Sequence, residues 1–324
     1  MHVAAVTRPG TPAELGIREV PEPVPGADDL MVDVAAAGVN RADLLQAAGH
    51  YPPPAGAPEW PGLEVSGTVR EVGAGVAGWR VGDRLAALLP GGGYAERVAV
   101  PAVLALKVPD GLALVDAAAL PEALATLWST FAAARLAPGE RLLVRGGSGG
   151  IGTVAVQLGR ALGAHVLATA GGPARCARVR GLGADLVVDH REPGLAAAVR
   201  EATGGAGVDV VLDVLGAGGL AENLDVLADD GRLAVIGLQK GRRGEIDLGL
   251  LLAKRITVVA ATLRGRPLAQ QAAIMAEVRE RAWPLVAAGE VRPVVDSRLP
   301  LSQATEAHRR LSAGEVFGKL VLLP

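Results

Sequence analysis

Short apolar runs alternate with longer stretches of helical spacing in the middle of the chain, from about residue 120 to residue 262. The runs read RLLVR, HVLATA, DLVVD, VDVVLDV and RLAVIGL. Between them lie stretches of roughly ten to fifteen residues in which apolar positions recur every three or four residues. This alternation predicts an α/β domain over residues 121–262, with a parallel sheet and helices on both faces.

The chain on either side of this domain has a different pattern of apolar residues. Residues 1–120 carry short apolar segments such as MVDVAAAGV, VSGTVREVG and ERVAV, separated by proline and glycine, which predicts a β-rich domain. Residues 263–324 contain helical segments and end in the strand-like KLVLLP. We expect residues 1–120 and 263–324 to form one domain, with the α/β domain inserted in it.

The β-branched run ITVVAAT at residues 256–262 follows the last crossover and is expected to be an edge strand. An edge strand carries unpaired N–H and C=O groups that need a partner or a cover. Pairing with the same strand of a second subunit would give a homodimer, which we expect, and a higher oligomer stays open. Cover from within the chain is the alternative.

Composition narrows the classes of function. With 50% hydrophobic residues, 20% charged residues and a formal net charge of −2, the chain has no electrostatic reason to bind nucleic acid or an anionic membrane. Its apolar runs are shorter than the ~18 residues of a membrane span, and its first residues lack the apolar segment of a secretory signal. The single cysteine, Cys176, excludes an internal disulfide and a zinc site of several thiolates, and is compatible with a cytoplasmic location.

A cluster of glycines, GGSGGIG at residues 146–152, separates the first strand of the α/β domain from the following helix. Gly147, Gly149 and Gly152 fit the pattern G-x-G-x-x-G, and Gly146 gives an overlapping G-x-x-G-x-x-G. A backbone without Cβ atoms lets a pyrophosphate approach closely, and the helix N-terminus supplies free N–H groups. The strand before and the helix after favour a dinucleotide-binding loop over a tight turn that binds nothing.

The residues after the second strand indicate which dinucleotide binds. An acid about 20 residues past the glycines hydrogen-bonds the ribose of NAD, but HVLATA is followed by GGPAR, which holds Arg175 and no acid. A guanidinium can bind a 2′-phosphate in a bidentate manner, so the sequence favours NADPH. The alternative is that Arg175, Arg178 and Arg180 form only a solvated helix face. Cys176 among them is expected to be an ordinary helix residue.

Several segments together resemble the medium-chain dehydrogenases/reductases, and more closely the zinc-free quinone oxidoreductases related to ζ-crystallin. These segments include AAGVNRADLLQAAGHYPPP, PGLEVSGTVREVG, GWRVGDRLAALLPGGGYAERVAV, ALPEALATLW, GGSGGIGTVAVQLGRALGA, GADLVVDHRE and FGKLVLLP. The resemblance covers essentially the whole chain. It implies a GroES-like catalytic domain at residues 1–120 and 263–324, a Rossmann-type doubly wound sheet at residues 121–262, and a cleft between the two domains.

The resemblance also implies that the reaction needs no metal. Zinc-dependent relatives have a cysteine at the position of Asn40 and a histidine at that of Leu63, and neither residue replaces a thiolate or an imidazole. Glu64 alone cannot hold a metal, and we expect this acid to bond backbone or arginine. Hydride donation from NADPH to an electrophilic acceptor remains available, because the cofactor carries the reactivity.

Carried over residue by residue, the resemblance implies an active site of Asn40 beside the nicotinamide, Tyr51 facing the acceptor and Arg264 at the mouth of the cleft. Reduction of a quinone places negative charge on oxygen, which hydrogen-bond donors and a cation stabilise. A phenol can supply a proton directly or through water. The structural alternatives are a helix-capping Asn40, a packing Tyr51 and an Arg264 in a surface salt bridge.

The resemblance assigns further residues to the cofactor. The glycine loop would contact the pyrophosphate, residues after the second and third strands the 2′-phosphate, and residues after the last crossover the nicotinamide. The expected set is Asn40, Thr126, Gly146, Gly147, Ser148, Gly149, Gly150, Ile151, Gly152, Gly171, Gly172, Arg175, His190, Gly237 and Leu238. Relatives often have Ser or Thr at Gly172, Lys at Arg175 and Tyr at His190, so the preference for NADPH over NADH is expected to be less strict here.

These features favour an NADPH-dependent, metal-independent quinone oxidoreductase that acts on a small molecule. Reduction of an activated C=C bond in an enone, alkenal or enoyl thioester is the alternative among enzymes, because the same hydride geometry serves both acceptors. A structural or sensor protein that binds NADPH without turnover is the alternative outside enzymes.

Overall fold

The computed structural model describes residues 1–11 and 13–324 of the chain. The chain divides into two compact units. The first unit comprises Met1–Ala125, Arg264–Ala288 and Pro293–Pro324, and the second comprises Thr126–Leu263 and Gly289–Arg292. In the described part of the chain, no helix combines the length and the apolar character needed to cross a membrane.

The strands and helices follow the predicted order along the chain. In chain order the strands are β1 (His2–Arg8), β2 (Glu14–Glu19), β3 (Asp29–Gly38), β4 (Glu64–Val72), β5 (Arg84–Leu88), β6 (Arg97–Pro101), β7 (Ala105–Lys107), β8 (Arg141–Val144), β9 (His165–Ala170), β10 (Leu186–Asp189), β11 (Val208–Asp213), β12 (Leu227–Val235), β13 (Thr257–Ala260), β14 (Val295–Pro300) and β15 (Lys319–Leu323). The α-helices are α1 (Arg41–Ala47), α2 (Leu114–Ala117), α3 (Pro121–Ala133), α4 (Gly150–Ala161), α5 (Pro173–Gly181), α6 (Leu195–Ala202), α7 (Leu220–Val226), α8 (Leu248–Lys254), α9 (Leu268–Glu277), α10 (Trp283–Ala287) and α11 (Ala304–Ser312).

The first unit is built on a seven-stranded sheet. Its order is β14-β15-β3-β4-β5-β7, and β6 pairs with β3 outside this path. The strand β15 pairs antiparallel with β3, with Val321 opposite Gly38, and the N–H of Val39 donates to the carbonyl oxygen of Leu320 at 2.9 Å. This pairing brings the last strand of the chain against the segment that leads into α1.

The second unit is built on a parallel sheet of six strands in the order β10-β9-β8-β11-β12-β13. Numbered within the unit, this order is that of a doubly wound fold, in which the order of successive strands reverses between β8 and β11 and ligands bind at the carboxyl ends of these strands. Leu143, Val211 and Leu233 of the sheet pack with Val199 of α6 and Leu224 of α7. The predicted fold class, a Rossmann-type sheet beside a separate β-rich unit, is confirmed.

The predicted edge strand forms over a shorter range than residues 256–262. The strand β13 pairs in parallel with β12 and ends the six-stranded sheet. Within it the Val258 side chain is 46% exposed.

Candidate functional site

The glycine loop of the second unit joins β8 to α4, a helix of 12 residues with Gly149 as its N-cap. The backbone here is packed too closely for side chains. A Cβ at Gly152 would lie 2.1 Å from the carbonyl oxygen of Gly146 and 2.8 Å from Cα of Gly147. The first N–H groups of a helix have no partner within the helix, so this loop forms a cradle that fits a phosphate anion.

The ends of three parallel strands meet beside this cradle. A Cβ at Gly146, after β8, would lie 3.4 Å from the Val214 side chain, which follows β11. A Cβ at Gly237, after β12, would lie 2.8 Å from the Val214 carbonyl oxygen. Gly146 and Gly237 were predicted from distant parts of the sequence. In the structure both lie next to Val214, at the point where the strand order reverses. Leu238 beside them is 56% exposed.

The residues expected at the 2′-phosphate gather at the ends of β9 and β10. A Cβ at Gly171 would lie 3.2 Å from Nε2 of His190, and burial lowers the pKa of His190. Gly172, at φ +88°, is packed against the guanidinium of Arg191, whose Nη2 would lie 2.1 Å from a Cβ at residue 172. Arg175 lies in the first turn of α5 and is half-buried.

An acid that the sequence reasoning did not consider reaches this corner from the end of β10. The carboxylate of Asp189, at the end of β10, accepts from the N–H of Gly172 at 2.9 Å. It also pairs with the Arg191 guanidinium at 3.1 Å, which holds the pKa of this carboxyl well below its usual range. Arg191 therefore balances the negative charge of Asp189 beside Gly172. No sequence motif indicates the pair of Asp189 and Arg191. Its position is identified by the contact of Asp189 with Gly172, which follows the neighbouring strand.

A buried cation also lies next to the glycine loop and was missed by the sequence reasoning. Arg145 follows β8 directly and is 4% exposed. Its Nη1 donates to Asn223 at 2.8 Å, and its Nη2 donates to Glu222 at 2.7 Å.

Thr126, expected in the cofactor site, lies in α3. Its carbonyl oxygen accepts hydrogen bonds from the hydroxyls of Ser129 and Thr130.

In the first unit, Asn40 belongs to a buried polar cluster with Glu64 and Lys319. Asn40 Nδ2 donates to Glu64 Oε1 at 2.9 Å, and Lys319 Nζ donates to Asn40 Oδ1 and to Glu64. Asn40 is the N-cap residue of α1, but its side chain is used by these two partners, while Asp43 accepts from the Asn40 N–H at 2.7 Å. Glu64 also accepts from the backbone N–H of Glu122 at 2.9 Å.

The expectation that Glu64 bonds backbone or arginine is confirmed by the backbone bond. The acid bonds backbone, but its cationic partner is Lys319 rather than an arginine. The lysine comes from β15, which lies beside β3 in the sheet and so reaches the start of α1.

Arg264 and Tyr51, both expected in the active site, lie together. Cζ of Arg264 is 4.7 Å from the centroid of the Tyr51 ring, and Arg264 Nη1 donates to Gln46 Oε1 at 2.9 Å. Arg264 is 6% exposed, and burial lowers the pKa of its guanidinium. The alternative of a surface salt bridge for Arg264 is wrong, because the residue is buried and its Nη1 donates to the Gln46 amide oxygen. The sequence reasoning missed Gln46, which lies six residues after Asn40.

A second buried cluster surrounds the other tyrosine. The Tyr94 hydroxyl bonds Asp43 Oδ2 at 3.2 Å and His308 Nε2 at 3.1 Å. Burial raises the pKa of Asp43 to about 6, raises that of Tyr94 well above its usual value and lowers that of His308 to about 4. Tyr94 has no exposed surface, which leaves Tyr51 as the phenol that a ligand can reach. Over residues 1–11 and 13–324, no group of three His, Cys, Asp or Glu residues is arranged to hold a metal ion.

Comparisons with known proteins match two parts of the chain to protein families. Residues 26–110 match the family described as alcohol dehydrogenase GroES-like domain, and residues 182–322 match the family described as zinc-binding dehydrogenase. A probable oxidoreductase from Mycobacterium abscessus is 36% identical, with a TM-score of 0.86 over 100% of this chain and 99% of that one. The quinone oxidoreductase of Escherichia coli complexed with NADPH is 27% identical, with a TM-score of 0.86 over 100% of this chain and 99% of that one.

Larger proteins contain a similar segment. The phthioceranic/hydroxyphthioceranic acid synthase of Mycobacterium tuberculosis is 37% identical over 300 residues, which is 92% of this chain. The chain spans 14% of the length of that synthase.

Proposed function

Because the chain belongs to the medium-chain dehydrogenase/reductase family, which includes the quinone oxidoreductases, we propose that it uses NADPH to reduce a small conjugated acceptor. The observation that carries this proposal is the closely packed glycine cradle at the reversal point of the parallel sheet. The bound NADPH of the E. coli relative supports the choice of cofactor.

The described residues fit this cofactor, which when bound supplies a hydride to the acceptor. The loop of residues 146–152 would lie against the pyrophosphate, with the N–H groups of residues 150–152 at the start of α4 as donors, since those of Gly146, Gly147 and Gly149 already bond within the protein. Gly171, Gly172, Arg175 and His190 would surround the 2′-phosphate, and Asn40, Thr126, Gly237 and Leu238 would contact the nicotinamide nucleoside.

A quinone is the first candidate acceptor, supported by the similarity to quinone oxidoreductases. Its reduction places negative charge on oxygen, and the Arg264 guanidinium would stabilise this charge. Tyr51 would donate the proton directly or through water. Asn40, held by Glu64 and Lys319, would keep a fixed orientation.

An activated C=C bond in an enone, alkenal or enoyl thioester is the second candidate, and one observation favours it. The chain is similar to a segment of acid synthases, and a carbon chain that is built on a thioester becomes saturated only when its C=C bonds are reduced. The same donors would serve the enolate that this reduction forms.

The test is a turnover assay in which purified protein and NADPH are mixed with matched quinones, enones and an enoyl thioester, and the absorbance of the reduced cofactor is followed. We expect turnover, with the acceptor class given by the highest kcat/KM. Tight NADPH binding without turnover on any acceptor would favour the non-catalytic alternative.

Arg175 tests the position of the 2′-phosphate. We predict that Arg175→Ala raises the KM for NADPH by about tenfold, because a charge-assisted hydrogen bond is worth at least ~1.4 kcal/mol, and leaves the KM for NADH almost unchanged. Arg180→Ala, in the last turn of the same helix, is the control and should change neither. Equal effects of Arg175→Ala on both cofactors would place the phosphate elsewhere.

We also propose that the chain forms a homodimer through β13, whose outer edge would otherwise stay unpaired. Light scattering on the purified protein should give twice the mass of one chain. A monomer would contradict the proposal.

A further inference from the structure

Arg264 has an unusual environment for a buried cation. Its Nε and Nη2 atoms are buried and have no hydrogen-bond partner among the described residues, and none of the described carboxylates forms an ion pair with it. A buried cation without partners costs free energy in proportion to its lost hydration. Such a group is expected where a ligand completes its hydrogen bonds.

Other arginines of this chain show what the open edge of Arg264 fits. Nε and Nη2 form one side of a guanidinium and match the two oxygens of a carboxylate. This edge of Arg141 holds Asp209, that of Arg255 holds Asp230, and that of Arg309 holds Glu306. In Arg264 the same Nε/Nη2 edge is buried and has no hydrogen-bond partner among the described residues.

Neighbouring groups fix the direction of this edge. Gln46 Nε2 donates to the carbonyl oxygen of Glu59 at 2.9 Å, and since a carbonyl only accepts, Oε1 must be the atom that faces Arg264 Nη1. Gln271 Nε2 donates to the carbonyl oxygens of Arg264 and Arg266 at 3.4 and 2.8 Å, which holds the turn. Tyr51 lies against the guanidinium face, so Nε and Nη2 are the donors that remain.

We propose that the Nε/Nη2 edge of Arg264, positioned by Gln46, is a carboxylate-binding subsite, and that the acceptor is a conjugated carbonyl compound that carries a carboxylate. This inference rests on the proposed function and narrows its substrate class. A planar anion with two oxygens satisfies both open N–H groups and supplies the missing counter-charge. A neutral carbonyl would satisfy one donor and leave the charge unbalanced.

Acid and ester forms of one acceptor test the proposal in the NADPH assay. 4-Oxopent-2-enoic acid and its methyl ester share the conjugated carbonyl and differ in the charge. We expect the wild type to prefer the acid by about tenfold or more in kcat/KM, the range of a charge-assisted pair. Arg264→Gln should remove this preference through the KM for the acid, while Arg266→Gln, which removes an equal charge two residues away, should keep it.

Two more variants separate positioning from packing. Arg264→Lys keeps the charge without the planar fork and should recover only part of the preference. Gln46→Glu places a carboxylate on Nη1 and should lower the preference for the acid, whereas a merely structural Gln46 would leave the preference unchanged.

A binding measurement that needs no turnover distinguishes failure of this inference from failure of the proposed function. Benzoate should raise the thermal midpoint of the wild type and of Arg266→Gln but not of Arg264→Gln, and the neutral benzamide should raise none. Equal kcat/KM for acid and ester, together with no benzoate effect, would overturn the subsite. A fall in kcat for the ester alone in Arg264→Gln, without an acid preference in the wild type, would also overturn the subsite and leave Arg264 only the role of stabilising the oxygen charge that forms during reduction.

Discussion

Asp43 and His308 lie on either side of the Tyr94 hydroxyl, and burial shifts their pKa values in opposite directions. The pKa of Asp43 rises to about 6 and that of His308 falls to about 4. Between these values both side chains are uncharged, which avoids an isolated charge in the core.

We predict that the two groups oppose each other in the pH dependence of stability. Folded Asp43 keeps a proton that the unfolded chain has lost, so its contribution to the free energy of unfolding falls as pH rises from about 4 to about 6. Folded His308 lacks a proton that the unfolded chain binds, so its contribution rises with pH from about 4 to the usual histidine value of 6.5. Their sum should change little over this range.

Single substitutions should reveal each contribution. Relative to the wild type, the free energy of unfolding of His308→Gln should fall with rising pH by up to ~1.4 kcal/mol per pH unit between pH ~4 and ~6, and that of Asp43→Asn should rise similarly. Urea unfolding at several pH values measures both slopes. Parallel profiles for all three proteins would contradict the assignment.

The family resemblance implied Asn40, Tyr51 and Arg264 as site residues, but the sequence did not indicate the groups that hold them. Gln46 and Arg264 are 218 positions apart, and Asn40 and Lys319 are 279 positions apart. A hydrogen bond across such a separation leaves no pattern in one sequence, because each partner alone is an ordinary polar residue.

At the scale of elements, β8, the glycine loop and α4 form the part that the sequence predicted most completely. The signal is local, since glycines in a strand-to-helix turn and the apolar face of the next helix lie within a short range. The helical region that begins at Leu268 was also indicated, but not the π-helical segment Val278–Ala282 within it. That segment ends two residues before Pro284, which lacks an N–H and so breaks the regular α-helical bonding.

We predict that Gly152→Ala greatly weakens NADPH binding. The added Cβ would overlap the carbonyl oxygen of Gly146, which forces the loop to move away from the helix N-terminus. Isothermal titration should show a loss in affinity of at least about tenfold.

Gly181→Ala is the matched control. Nothing lies within 4 Å of a Cβ at this position in α5, so the variant should bind NADPH normally and be slightly more stable, because alanine favours a helix over glycine. Equal affinities of the two variants would show that the packing at Gly152 is not needed for the cofactor.

At the scale of the whole molecule, the first unit is assembled from three separate segments of chain. The sequence predicted the class of each domain because its signals recur many times. Apolar runs alternate with helical stretches in one domain, and proline and glycine separate short apolar segments in the other. The contact of Lys319 with Glu64 and Asn40, which joins the first and third segments, rests on single residues and was not predictable.

We predict that Lys319→Met destabilises the first unit more than the second. Removing one partner of a buried ion pair costs about 3–5 kcal/mol, because the other charge stays buried. Hydrogen exchange should become faster in β3, β4 and β15, with a smaller change in β8 and β9. Lys107→Met, which removes an exposed partner of Asp83, is the control and should have little effect; uniform exchange changes in Lys319→Met would contradict the prediction.

The position of Lys319 also has a consequence for how the chain folds during its synthesis. Residues 1–125 leave the ribosome long before residue 319, at about 5–20 residues per second, so Glu64 and Asn40 wait for their ammonium partner. All six strands of the second unit are translated before β15. The nascent chain can therefore complete the glycine cradle of the second unit early, while the first unit is completed only when translation is nearly finished.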